Sequence, residues 1–453
     1  MRVLGLFLAF ELSISAFNPT PPTTLPGPAS LPLIGSTSLI GATINNKVVE
    51  ELVSLRREHG PIFLAKTGPV TQVWVDDAEI ANELFTMESA AGRSQLKKPV
   101  FGGDFLFLVR DVERVRKIRS NQKALLAERS SSPSVLAAVE AANLSAIISE
   151  QLDQSNSKGA VSEQLDQSNS KGAVSWPSRG IASASFNALV SLYVGCQPLT
   201  ADEVDRLLTA VSGYRRRGIP NFVEVIARTF GFSKKLSFTD EINGLLSEVV
   251  SRANVSPELL PLLVSATVGG AEIFPLLLQW SVLRLSVDKV TQKRLHEELV
   301  ANSEKTVPPM FIQVAAACAR DCPVSAATGP PRKITQPTLI NGYEIPAETI
   351  AFSLHPGLRA AGGGAPWEVG LHEESWPLEM KGATSWGMFG GGPRACPASE
   401  QSLNFLASSI ATLVRDFEWE PVAGDGIERM FEIEGDGSLL VPKHDTLLKF
   451  SKR

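Results

Sequence analysis

The sequence predicts a mainly α fold with a minor β component, arranged as one large helical domain carrying small β-sheets. Two observations lead there. Apolar residues recur at helical spacing over residues 46–59, 78–129, 257–300 and 399–416. Strand-like alternation is confined to short stretches around Gly68-Pro69 and Asn341-Gly342.

Composition bounds the function classes. In 453 residues an apolar share of 43% supports a sizeable core. The formal charge is −5, and no dense Lys/Arg block with interleaved aromatics is present. No nucleic-acid partner is expected on that balance. Arg215-Arg216-Arg217 is short and reads as a solvated face. The four cysteines, Cys196, Cys318, Cys322 and Cys396, contain no Cys-x-x-Cys spacing, which argues against a zinc ribbon or a redox pair. Cys318 and Cys322 share one helix face, as two small buried thiols would. His296-Glu297-Glu298 lacks the second histidine of a zinc hydrolase.

Residues 1–25 read as targeting segment and linker. Arg2, the apolar stretch 3–10 and the small residues Ser13, Ser15 and Ala16 form a signal-peptide pattern. It is shorter than the ~20 apolar residues of a spanning helix. The Pro/Thr/Ser-rich, acid-free stretch after it resembles the two-part leaders of algae with secondary plastids. A plastid location is therefore expected. The alternative is a short anchor giving membrane association at the endoplasmic reticulum.

The remainder, 26–453, is expected to be the domain itself. Proline stiffens 26–35 into an extended lead. Residues 62–75 suggest a hairpin. Residues 149–161 (SEQLDQSNSKGAV) recur without change at 162–174. Two polar copies do not make a solenoid, and 149–174 is expected to be an exposed, duplicated polar insertion. The longest apolar pattern, 257–285, holds Gly269-Gly270, Glu272 and Pro275 in its middle, so a buried central helix is preferred over a membrane span. Another helix is expected up to Arg320, then a hairpin, glycine loops at 362–364 and 390–392, and a last helix over 399–416.

One segment carries chemistry: Phe389-Gly390-Gly391-Gly392-Pro393-Arg394-Ala395-Cys396-Pro397-Ala398. Its glycines allow positive φ and close backbone approach to a flat ligand. Cys396 precedes a helix N-terminus, where the dipole favours a thiolate. Arg394 is placed to bind a carboxylate. The alternative is a glycine-rich loop around a buried cysteine. A phosphate loop is disfavoured, because its Lys-Ser/Thr ending is missing.

This segment resembles the cytochrome P-450 motif Phe-x-x-Gly-x-Arg-x-Cys-x-Gly at Phe389, Gly392, Arg394 and Cys396, with Ala398 in the last glycine's place. Other segments resemble the family in order and spacing. They are the proline-rich lead, the helix at 111–119 with Arg119 kept and Val115 for its tryptophan, and the central helix at Gly269-Gly270-Ala271-Glu272-Ile273. Ala317-Cys318-Ala319-Arg320 stands in the Glu-x-x-Arg place, and Pro331-Arg332 resembles a further propionate contact.

The resemblance implies a P-450-like fold with haem between the central helix and the cysteine loop, and Cys396 as the iron ligand. Phe389, Gly392, Arg394, Arg119 and Arg332 would bind the cofactor. Arg119 and Arg332 read equally well as surface or capping residues. Glu272 would deliver protons, or stand as a helix-bend carboxylate. The implied activity is a haem-thiolate monooxygenase that inserts one oxygen atom of O2 into an apolar small molecule. A reductase or a ferredoxin would supply the electrons. Ile273 stands where the family has an alcohol, and its side chain forms no hydrogen bond. A peroxide-rearranging enzyme, or a degenerate non-catalytic member that binds haem or ligand, is the alternative. Without the acid at Ala317, a buried and unpaired Arg320 would cost roughly 3–5 kcal/mol, unless Asp321 or the 376–381 stretch compensates.

Overall fold

The computed structural model describes residues 25–31, 34–45, 47–67, 70–92, 111–129, 143–158, 173–195, 199–218, 237–302, 306–322, 324–329, 331–355, 389–422, 430–434, 439–444 and 446–453. The expected leader, Cys196, the 362–364 glycines and the 376–381 stretch lie outside these residues. The described chain is mostly helical with small sheets.

The lead-in runs extended to β1 (Ser30–Leu31) and β2 (Gly35–Ser36), then into α1 (Thr37–Ile44) and α2 (Val48–His59). Pro26 O accepts the Leu64 N–H at 2.8 Å. Gly27 permits that approach, since a Cβ there would lie 2.0 Å from Leu64 O. The expected hairpin follows as β3 (Ile62–Thr67) and β4 (Val70–Val75), paired antiparallel from Ile62↔Val75 to Thr67↔Val70. Next come α3 (Ala78–Thr86), capped by the Asp77 carboxylate, and α4 (Val112–Arg129).

α5 (Leu144–Lys158) and β5 (Ala173–Ser175) enclose the duplicated region. Of the expected exposed insertion, 159–172 lie outside the described residues, and the described ends include buried positions. The first copy begins on α5, where Leu152 is buried in the main core. The second copy ends in β5, where Ala173 and Val174 are buried and pair with a later strand. The polar character of SEQLDQSNSKGAV hides its few apolar positions, and Leu152, Ala173 and Val174 among them pack.

α6 (Ser178–Val194), α7 (Ala201–Gly218) and α8 (Ser237–Arg252) pack with α9 (Leu260–Gly270) into one apolar cluster that includes Phe186, Leu207, Leu246 and Leu263. The 257–285 pattern forms two helices rather than one. α9 stops at Gly270, Ala271-Glu272 make a turn, and α10 (Ile273–Val287) continues. By length and composition the stretch Pro257–Val287 is apolar enough to cross a membrane. Leu276, Leu278, Trp280, Val282 and Leu283 on α10 are instead buried in the main core.

α11 (Lys289–Ala301) and α12 (Pro309–Asp321) follow. Then come β6 (Arg332–Lys333), β7 (Thr338–Ile340), β8 (Tyr343–Ile345) and β9 (Ile350–Ser353). β7 and β8 form the hairpin expected at Asn341-Gly342, whose φ angles of 45° and 79° are those of a tight primed turn. β9 leaves that hairpin and pairs parallel with β4 in a sheet ordered β1-β2-β3-β4-β9-β6. Register opposes Trp74 to Phe352, and their rings stack at 4.3 Å.

α13 (Ser399–Asp416) coincides with the expected last helix and packs on α12 and α10. The chain ends in β10 (Phe417–Pro421), the short pair β11 (Ile433–Glu434) and β12 (Val441–Pro442), and β13 (Leu447–Lys452), which lies between β10 and β5. Trp419 on β10 donates its indole N–H to Val282 O at 2.9 Å and so ties this sheet to α10.

Truncating Leu152 to alanine is expected to cost about 2–4 kcal/mol in urea denaturation, the range for a buried leucine. A loss below about 0.5 kcal/mol would place the first copy of the repeat outside the core.

Candidate active site around Cys396

The loop from Phe389 to Cys396 closes on itself. The Cys396 N–H donates to Phe389 O at 2.7 Å, and the Ala395 N–H to Gly392 O at 3.0 Å. Gly390 and Gly392 take φ of +67° and +59°, the left-handed region that glycine occupies without penalty. Gly392 also allows close packing on the end of α3, because a Cβ there would meet Phe85 O at 2.1 Å.

Three arginines hold this loop through backbone carbonyls. Arg332, on β6, donates to Phe85 O at 2.7 Å and to Gly391 O at 2.6 Å, with its guanidinium carbon 4.6 Å from the centre of the Phe85 ring. Arg119, on α4, donates to Pro393 O at 2.6 Å. Arg394 turns back to Ala91 O at 2.9 Å. The sequence reading aimed Arg394 at a carboxylate and left Arg119 and Arg332 open as surface residues. Arg332 and Arg394 are in fact buried, at 5% and 6% exposure.

Burial first, then the Arg119 and Arg394 charges, push the Arg332 guanidinium down to about 9. Burial and the Arg119 charge take Arg394 to about 10. Burial also lowers Arg119, and the Cys396 sulfur partly offsets this. Three cations are thus crowded together beside one thiol. The buried Nε of Arg119 has no hydrogen-bond partner, and neither Arg119 nor Arg332 is paired with a carboxylate among the described residues. Such crowding is costly unless an anion answers it.

Cys396 is half-buried and carries a free thiol. Burial raises its pKa, while the Ala398 N–H and the Arg119 charge pull it down. The helix N-terminus therefore acts on the sulfur through one specific amide. Ala398 itself sits at φ −107°, a conformation open to any residue, so its replacement of glycine strains nothing.

The remaining sequence-predicted positions fall as follows. Phe389 is partly buried against the main core. Val115 is fully buried one turn before Arg119 and packs on Ile118. Glu272 lies half-buried in the turn between α9 and α10. Beside it Phe274 meets Phe405 of α13 edge-on at 4.6 Å, which brings the turn towards the helix that Cys396 leads into. Ala317 is buried in the core, as are the Cys318 and Cys322 thiols. The cost feared for Arg320 does not arise. Its side chain is 33% exposed and makes two hydrogen bonds to Asp321, at 2.8 and 3.0 Å. Sequence reading missed Phe85 and Ala91, whose contributions are backbone carbonyls and leave no side-chain signal.

Gly392→Ala is expected to destabilise by roughly 2–5 kcal/mol, combining a left-handed φ with overpacking against backbone. Ala398→Gly should stay within about 1 kcal/mol of the parent. Equal losses for the two in chemical denaturation would contradict this account of the loop.

No family model matches the chain. It is 24% identical over 226 residues to cytochrome P450 81F1 of Arabidopsis thaliana, covering 44% of this chain and 43% of that protein. To cytochrome P450 81F2 of the same plant it is 24% identical over 183 residues, covering 37% and 35%. To trans-cinnamate 4-monooxygenase of Sorghum bicolor it is 30% identical over 115 residues, covering 24% and 22%. The matches thus span less than half the length of each of these relatives. The chain is similar to plant cytochromes P450 at a distance, over part of its length, and its own described residues are mostly helical with small sheets, consistent with a P450-like fold.

Proposed function

We propose that this chain is a haem-thiolate oxidoreductase, a monooxygenase acting on an apolar small molecule. The observation that carries the reading is the cation cluster at the cysteine loop. Arg119, Arg332 and Arg394 are crowded without a matching carboxylate on Arg119 or Arg332, and Cys396 offers a thiol beside them. A flat group with two carboxylates and a metal that takes a sulfur ligand answers both features, so the residues fit haem. Haem bound there would supply the O2-dependent oxidation chemistry.

The chain's own residues would then act as follows. Cys396 would give its sulfur to the metal, with the Ala398 N–H and the Arg119 charge favouring the thiolate against the burial that opposes it. Gly390 and Gly392 give the loop its two left-handed turns, and Gly392 lets it seat against the end of α3. Arg119, Arg332 and Arg394 hold the propionates, and Phe389 packs the loop on the core. Glu272, in the turn beside α13, would be the acid placed to take part in proton delivery. Ile273 cannot relay that proton, because its side chain neither donates nor accepts.

This last point favours a second reading. An enzyme that rearranges peroxides, or a member that binds haem or ligand without turnover, does not need that hydroxyl. Electrons for the first reading would come from a reductase, or from a ferredoxin if the protein resides in a plastid. An endoplasmic-reticulum membrane placement would suit the reductase.

Reduced, carbon-monoxide-treated protein is expected to show a thiolate-type Soret band that Cys396→Ser abolishes. A spectrum indifferent to that substitution would remove Cys396 as ligand. Arg119→Met is expected to weaken haem retention by about 10- to 100-fold, the value of one charge-assisted contact. Reductant-driven turnover that yields peroxide and no product would decide for the second reading.

A further inference from the structure

The haem-thiolate reading leaves one buried cation unused. Arg284, on α10, is 1% exposed, and its Nε, Nη1 and Nη2 all lack a hydrogen-bond partner. A guanidinium does not escape burial by losing its proton at physiological pH. An unpaired buried charge is among the most costly features a core can hold, so such a group calls for an explanation.

The surroundings do not provide the missing charge. A helical side chain tilts back towards the N-terminus, so Arg284 covers the turn that carries Trp280 and Ser281. The polar groups of that turn are already engaged. The Ser281 hydroxyl donates to Leu277 O at 2.7 Å, the Trp280 indole to Leu440 O at 3.0 Å, and Trp280 O faces the Cys322 thiol at 3.9 Å. Across from this turn α12 presents the buried Cys318 and, at its end, Cys322. Burial pushes the Cys318 thiol up to about 12 and Cys322 well above the ordinary range, so both stay neutral. Asp321 on the same helix is held by Arg320 through two hydrogen bonds. Among the described residues the balance at this place is one positive charge in excess.

We propose that Arg284 forms an internal binding site for a single small monovalent inorganic anion of the chloride class, seated between α10 and α12. One negative charge neutralises the site, whereas a divalent anion would reverse the imbalance. A halide takes N–H donors from one side and tolerates apolar and thiol neighbours on the other. The anion links helices of the main core, so it acts on stability, apart from the Cys396 loop.

The test is thermal unfolding of the full chain in chloride against gluconate at constant ionic strength. Chloride is expected to raise Tm by about 1–2 °C per tenfold increase above its Kd, as linkage requires for one ligand on a protein of this size. Bromide should substitute, and Arg284→Met should abolish the slope while raising Tm in gluconate. Coincident chloride and gluconate curves, or an unchanged slope in Arg284→Met, would overturn the proposal and leave the guanidinium solvated by water. Should Arg284→Met fail to fold, crystals of the parent grown in bromide decide. An anomalous peak within hydrogen-bond reach of Arg284 supports the site, and a flat map there removes it.

Discussion

The contact on which the rest of the site depends is the bridge that Arg332 makes between Phe85 O and Gly391 O. It joins three parts of the chain that are far apart in sequence: the end of α3, the strand β6 and the cysteine loop. The bridge exists because β6 lies at the edge of the sheet next to β9, and β9 pairs with β4 just ahead of α3. The small sheet therefore serves to place one guanidinium. Gly392 completes the arrangement from the other side, since its missing side chain lets the loop touch the backbone of Phe85 and Thr86.

The same bridge creates an electrostatic demand. Arg332, Arg119 and Arg394 meet within one buried region and depress one another. Carbonyl oxygens satisfy the geometry of their N–H groups but carry no net charge. Burial holds the Cys396 thiol above its ordinary range, opposed first by the Ala398 N–H and then by the Arg119 charge. A dianionic ligand would relieve the arginines and weaken the second of these two influences on the sulfur. Ligand charge and thiol character are thus coupled through Arg119, the arginine that shares a field with Cys396.

What sequence could reveal here follows from where the information resides. Long periodic segments were legible: α13 was expected over its full length, and the Asn341-Gly342 turn announced its hairpin because few residues tolerate two successive positive φ angles. The break at Ala271-Glu272 was not foreseen, because the glycines and acid were read as lying within one buried central helix. The burial of Leu152 and Val174 was not foreseen either, because tertiary packing picks out apolar residues from a segment whose average is polar. Nor were the partners of the arginines, since a backbone carbonyl belongs to every residue alike. The pairing of Arg320 with its own neighbour Asp321 escaped for a related reason. Whether an arginine needs a distant acid depends on its exposure, and exposure is a property of the fold.

The departures from the family pattern consequently divide into two kinds. Ala398 and Ala317 are absorbed: the first takes a φ any residue can adopt, and the second leaves an arginine that reaches solvent and a neighbouring carboxylate. Val115 and Ile273 are different, because each puts hydrocarbon where the resemblance implies a polar group facing the ligand. Val115 is buried one turn from Arg119 and packs on Ile118, so that position offers hydrocarbon and no donor. Ile273 opens α10 directly after Glu272, so a proton held by that carboxylate has no hydroxyl beside it in the chain. The first pair concerns folding and costs little. The second pair concerns the proposed chemistry, since each removes a polar group that the resemblance implies.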